Sequence, residues 1–141
     1  MTTVTPDELS VGRVFEIALV EDLKRVQIVQ YAGASGDYNP LHTDEVYSTQ
    51  VAGFPSVFAH GMLTMGMAGR AVADLVGGDR LLRFGVRFTA QVWPGDTLTL
   101  SVGVDRLSEE DGHKVAELSV TATNQDDRVV VSGYAIVRLG G

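Results

Sequence analysis

An aspartate and a histidine, Asp37 and His42, stand five residues apart in the run Gly36-Asp37-Tyr38-Asn39-Pro40-Leu41-His42. On a continuous helix, five residues amount to about 140° of rotation, so the two side chains would point apart. The residues between them argue against such a helix. Pro40 disfavours the helical region for Asn39 and fixes its own φ. Asn39 therefore reads as an N-cap with Pro40 at the first helical position. That puts His42 in the first turn of a short helix and Asp37 in the loop before it. A carboxylate and an imidazole converging from such a corner can share one water, the minimal apparatus for moving a proton and a hydroxide together. The residue types leave open which of the two takes the proton. Taken singly, each also fits a plainer role, an aspartate capping a turn and a histidine at the surface.

The corner is preceded by Tyr31-Ala32-Gly33-Ala34-Ser35 and followed by Phe58-Ala59-His60-Gly61-Met62-Leu63-Thr64. These segments, in this order, resemble the two hallmarks of the MaoC-like hydratases. That family comprises (R)-specific enoyl-thioester hydratases and 3-hydroxyacyl-thioester dehydratases. The chain is particularly similar to the catalytic subunit of the actinobacterial heterodimeric fatty-acid dehydratases. The likeness covers residues 11–93 and fades into ordinary strand pattern beyond.

The resemblance implies a lyase on a hotdog fold, an antiparallel sheet wrapped around one long helix. The activity it implies is reversible hydration of trans-2-enoyl thioesters, carried by coenzyme A or acyl carrier protein, to (3R)-3-hydroxyacyl thioesters. On the same ground, Asp37 and His42 hold the catalytic water and no cofactor is needed. Gly61 offers a backbone donor to the thioester oxygen as that atom gains enolate charge, an effect worth on the order of 3 kcal/mol. Asn39 and His60 complete the oxyanion and substrate-binding set, His60 either as a base or ligand or as a support for the loop. Without the motif, Gly61 would read as a glycine that permits close packing. The family also pairs its subunits, which implies a homodimer or a heterodimer with a related hotdog subunit. Two further readings share the scaffold. Hotdog thioesterases lack this Asp-x-Asn-Pro-x-His corner, and a non-catalytic acyl-binding subunit has no need of both Asp37 and His42.

The composition narrows the partners. A chain of 141 residues suits one domain, spanning 1–141, with a sizeable core. The formal charge of −7 argues against nucleic acid, since phosphate binding needs a basic face. There are no cysteines, which excludes disulfides, thiol nucleophiles and thiolate zinc sites and fits a cytoplasmic location. Lysine occurs only at Lys24 and Lys114, so Schiff-base chemistry has few candidates. The polar, acidic N-terminus has no signal-peptide pattern, and the longest apolar run carries Arg70 and Asp74 and is too short for a membrane span. His42, His60 and His113 lack a metal-ligand spacing, and His113 follows Asp111-Gly112 as a solvated turn residue.

The elements that must position the corner follow from periodicity. Residues 14–19 alternate as a short strand, and a helix begins near Lys24 and ends in the small residues and glycines of 32–36. Residues 62–76 are apolar on nearly every face, which predicts a helix buried all round and stopped by Gly77-Gly78. Met62, Met65 and Met67 on it either line an acyl tunnel or fill the core. Four strand-like rows follow: 82–92, 97–105, 116–122 and 129–137. They are separated by turns at Trp93-Pro94-Gly95-Asp96, Glu110-Asp111-Gly112-His113 and Asn124-Gln125-Asp126-Asp127. Short turns imply antiparallel hairpins, and one buried helix with such a sheet is an α+β domain whose sheet curls around the helix. Arg80, Arg83 and Arg87 form the one local basic cluster, with Arg83 and Arg87 on a shared strand face. They meet either the phosphates or acidic surface of a carrier, or only solvent.

Overall fold

Leu98, Leu100, Val102 and Val104 alternate with small polar residues, and none of the four is more than 2% exposed. A strand with one face in a core has this pattern. The computed structural model, which describes residues 2–140, builds five strands of this kind. They are β1 (Val14–Val20), β2 (Leu81–Phe88), β3 (Leu98–Glu110), β4 (His113–Thr123) and β5 (Val129–Arg138). They form one antiparallel sheet in the order β1-β3-β4-β5-β2. The turns fall where the sequence places them. Asp111 and Gly112 take φ of 51° and 78°, the left-handed pair a tight hairpin needs, and join β3 to β4. Asp127 donates its N–H to the Asn124 carbonyl at 3.1 Å between β4 and β5.

Two α-helices complete the fold among the described residues, α1 (Arg25–Ser35) and α2 (Gly61–Val76), beside shorter helical turns at Pro6–Glu8 and Tyr47–Val51. Ala68, Val72, Leu75 and Val76 of α2 pack with the inward rows of β3, β4 and β5 in one continuous core. The sheet is wrapped around this helix, which is the hotdog arrangement. Burial of α2 is not complete, however. Met62, Gly66, Arg70 and Asp74, spaced by four along one ridge, are exposed, Met62 by 53%. A five-stranded sheet covers only part of the helix circumference, and this ridge faces the opening. The strand expected over 82–92 also ends early. Its register with β5 slips between Leu81 and Arg83, which leaves Leu82 exposed, and the chain leaves the sheet after Phe88. Val92 turns instead to the site loop, its carbonyl accepting the Ala59 N–H at 2.8 Å.

Strands β2 and β5 approach so closely that Gly133 admits no side chain. A Cβ there would lie 1.9 Å from the Gly85 carbonyl oxygen, a backbone atom that cannot swing aside. Gly33, inside α1, has nothing within 4 Å of a Cβ and a helical backbone. Gly133→Ala is therefore expected to lower the melting temperature sharply or prevent folding. Gly33→Ala should raise stability by about 0.5–1 kcal/mol through helix propensity. Thermal melts of the two variants check this, and an unperturbed Gly133→Ala would refute the close approach.

Candidate active site

The corner is built from one helix end and two polar turns. The N-cap of α1 is Lys24, whose side chain has no acceptor to cap with. Gln27 Oε1 accepts the Lys24 N–H at 2.8 Å instead, the reciprocal half of a capping box. Gly36 ends the helix by taking φ of 74° and closing its N–H onto the Ala32 carbonyl at 3.0 Å. The chain then folds on its own side chains. Asn39 donates its N–H to Asp37 Oδ1 at 3.2 Å, and Asn39 Oδ1 accepts the Leu41 N–H at 3.0 Å. The capping by Asn39 thus occurs, but the helix expected after it does not. Residues 40–43 close as one turn, with the Asp44 N–H on the Pro40 carbonyl at 2.9 Å. Asp44 Oδ1 then accepts the Tyr47 N–H at 3.0 Å and starts a separate helical segment ending in a π-helical turn (Tyr47–Val51).

This path brings Asp37, His42 and His60 together, with one nitrogen or carboxylate oxygen of each within 4.8 Å of the others. His42 is 9% exposed, and its Nδ1 lies 2.6 Å from the Phe58 carbonyl oxygen. A carbonyl only accepts, so Nδ1 carries the proton and Nε2 is the bare nitrogen. His60 is 2% exposed and stacks on His42 with ring centroids 3.7 Å apart at 23°. Its Nε2 lies 3.0 Å from the Asp37 carbonyl oxygen and donates to it, while its Nδ1 is buried without a partner among the described residues. Asp37 is exposed, and only Oδ1 is engaged in the turn.

The same three side chains have the composition of a metal-ligand set. Their geometry does not suit one. Stacked rings direct their in-plane lone pairs side by side rather than at one point, and one nitrogen of each ring is held at a carbonyl. His113 stands apart as an exposed residue at the start of β4.

Gly61 opens α2, with His60 as its N-cap. The Gly61 and Met62 N–H groups find no carbonyl partner among the described residues, as the first donors of a helix do not. Gly61 also serves close packing: a Cβ would come within 3.2 Å of the Phe88 ring. A cleft of about 370 Å³ opens here, lined by His60, Gly61, Thr64, Phe88, Val92 and Val130. None of Met62, Met65 and Met67 lines it. Met67 borders a separate groove with Leu63, Leu19 and Tyr31. Of the basic cluster, Arg83 is forked onto Glu110, whereas Arg87 is exposed and makes no ion pair among the described residues.

Several supports were not legible in the residue pattern. The Phe58 carbonyl that fixes the His42 tautomer is a backbone group, and no side-chain motif announces it. Tyr31 meets the His60 ring edge-on at 4.9 Å. Phe58 packs on Trp93 and Phe54, and Trp93 is pinned by its N–H to Asp96 Oδ2 at 2.9 Å. Asp96 is buried, and its other oxygen accepts from Gln125 Nε2 at 2.9 Å. At the outer rim, Glu45 bonds the Arg25 guanidinium and the Val57 N–H. The Arg25 hydrogen bond is the main cause that holds the Glu45 carboxyl below its ordinary range.

An antiparallel sheet wrapped around one central helix defines a hotdog domain. The MaoC-like domain family matches residues 6–126, and the chain belongs to that family. It is 40% identical over 111 residues to the 3-hydroxyacyl-thioester dehydratase Y of Mycobacterium tuberculosis, a match that covers 76% of this chain and 37% of that protein. The chain therefore spans little more than a third of the length of that relative. Among solved structures, it superposes on the (R)-hydratase PhaJ1 of Pseudomonas aeruginosa with a TM-score of 0.82 and 28% identity, covering 96% of this chain and 84% of the other. The (R)-hydratase of A. caviae involved in PHA biosynthesis gives 0.79 and 26%, covering 93% and 97%.

Proposed function

We propose that the chain interconverts trans-2-enoyl thioesters and (3R)-3-hydroxyacyl thioesters. The observation that carries this reading is the Asp37–His42 corner, with its bare His42 Nε2 and free carboxylate oxygen beside the unpaired N–H groups that begin α2. In hydration, a water donates to Asp37 and to His42 Nε2 and presents its oxygen to C3 of the substrate. As the C–O bond forms, one water proton is taken up at the corner. The electron pair of the double bond moves toward the thioester oxygen, where Gly61 N–H stabilises the enolate. Return of a proton to C2 completes the addition, and the reverse sequence eliminates water. The relatives' names, a hydroxyacyl-thioester dehydratase and two (R)-hydratases, support the substrate class. The domain acts without a cofactor in the cytoplasm. No helix among the described residues is long and apolar enough to cross a membrane.

Asp37→Asn and His42→Ala should each lower hydration of crotonyl-coenzyme A about 10²–10⁴-fold. Substitution of the exposed Asp37 should change the melting temperature little, whereas loss of the buried, stacked His42 ring should lower it. The 3-hydroxy product of the unmodified protein should be the R form. Loss of the enoyl absorbance followed by chiral analysis reads both. Mainly S product, or near-normal turnover by either variant, removes the assignment.

The domain pairs with a second hotdog subunit, a copy of itself or a related chain. The observation favouring this is the free edge of β2, flanked by the half-exposed Phe88, Leu82 and Met62. Sedimentation should give twice the 15.1 kDa chain mass for a homodimer, and a lone-chain mass that persists at high concentration counts against self-pairing.

Carrier contact falls to Arg87 rather than Arg83, whose charge Glu110 already offsets. Arg87→Glu should raise KM for coenzyme A or acyl-carrier substrates with kcat nearly unchanged, and the effect should shrink with salt. Arg83→Glu should do less. Identical kinetics for both variants would show a solvated face.

A further inference from the structure

One buried side chain touches both Asp37 and His42. The His60 ring lies flat on His42, donates from Nε2 to the Asp37 carbonyl, and is met edge-on by Tyr31. Its backbone is the N-cap of α2, so the next N–H along the chain belongs to Gly61. We propose that His60 is a positioning residue. It sets where Asp37 and His42 stand relative to the start of α2 and exchanges no proton itself. This inference rests on the hydration reading for its kinetic consequence.

The side-chain bonds that shape residues 35–39 are local, while farther along the corner the Phe58 N–H donates to the Leu41 carbonyl at 3.2 Å and the Phe58 carbonyl holds His42. Asp37 N–H donates to Ser35 Oγ at 3.2 Å, and Asn39 N–H donates to Asp37 Oδ1 at 3.2 Å. Such bonds give the loop its shape but not its place on the body of the domain. The His60 bond to the Asp37 carbonyl spans 23 residues and does fix that place. The His60 nitrogens are otherwise unsuited to acid–base work. Nε2 is spent on a carbonyl, and Nδ1 is buried with no partner among the described residues to carry a proton to or from it. A donor that holds only backbone acts on rate through geometry. Misplacing a reacting group by an ångström costs on the order of 10²-fold.

Two variants separate the donor from the ring. His60→Phe keeps the ring over His42 and deletes the N–H, whereas His60→Gln keeps an N–H near the same place and deletes the ring. For His60→Phe, kcat with crotonyl-coenzyme A should fall about 10²-fold with KM within about threefold. Backbone amide NMR signals of residues 36–39 should broaden in this variant while core amides stay as they are. In His60→Gln those loop signals should sharpen again, and kcat should recover at least about tenfold over His60→Phe. A His60→Phe protein with unmodified kcat and loop signals overturns the proposal. So does equal loss in both variants with the loop undisturbed, which would make His60 a participant in proton transfer. Should His60→Phe fail to fold, His60→Gln is compared with His60→Ala, and equal loss of kcat and loop order in the two overturns it. If the unmodified protein hydrates no enoyl thioester, the hydration reading fails, and the loop signals alone decide whether His60 positions Asp37.

Discussion

The rest of the structure depends on burying one helix in the hollow of one sheet. Helix α2 gives its small and β-branched residues, Ala68, Ala71 and Val72, to the inward rows of β3, β4 and β5. Burying those apolar rows is worth roughly 25 cal/mol per Å², so the position of α2 is strongly fixed. Close packing at the other side strengthens this, because Gly69 lets the Phe84 ring approach α2 where a Cβ would stand only 3.1 Å away. With the helix axis set, its first residue is set too, and His60 and Gly61 are delivered to one place by the packing of residues far along the chain. The polar corner inherits its accuracy from an apolar core.

The corner itself is held by backbone groups more than by side-chain pairs. Phe58 and Asp37 contribute carbonyls, Asn39 and Asp44 cap turns, and Asp96 pins the loop carrying Trp93. Buried Asp96 is satisfied on both oxygens, which makes a charged group tolerable at 5% exposure. The exposed ion pairs at Arg25–Glu45 and Arg83–Glu110 contribute little by comparison, since solvent screens them.

Much of this was legible in the residues, and what was missed has physical causes. Alternation in 97–105 and 116–122 needs one buried face, which the sheet supplies, and Asp111-Gly112 demands the turn it makes. The polar turn around Asn39 could be read because Asn and Pro act locally. The missing helix after Pro40 could not, because Asp44 captures the Tyr47 N–H and restarts the backbone a few residues later. The early end of β2 and the exposed ridge of α2 depend on how far five strands can curl, a property of the assembled sheet and not of any window of sequence. The pairing of Arg83 with Glu110 joins residues 27 apart, which strand parity alone does not register. His60 was legible as a motif member, but its hold on Asp37 required the fold.

The tautomer of His42 has a chemical consequence. With Nδ1 committed to the Phe58 carbonyl, the ring has a single point of exchange, and a proton accepted at Nε2 can leave only from that atom. A reaction run from this corner through His42 has no second nitrogen to relay through and no route around the ring to the far side of a bound molecule. The anchoring of one imidazole thus confines all proton exchange at His42 to a single edge of the ring.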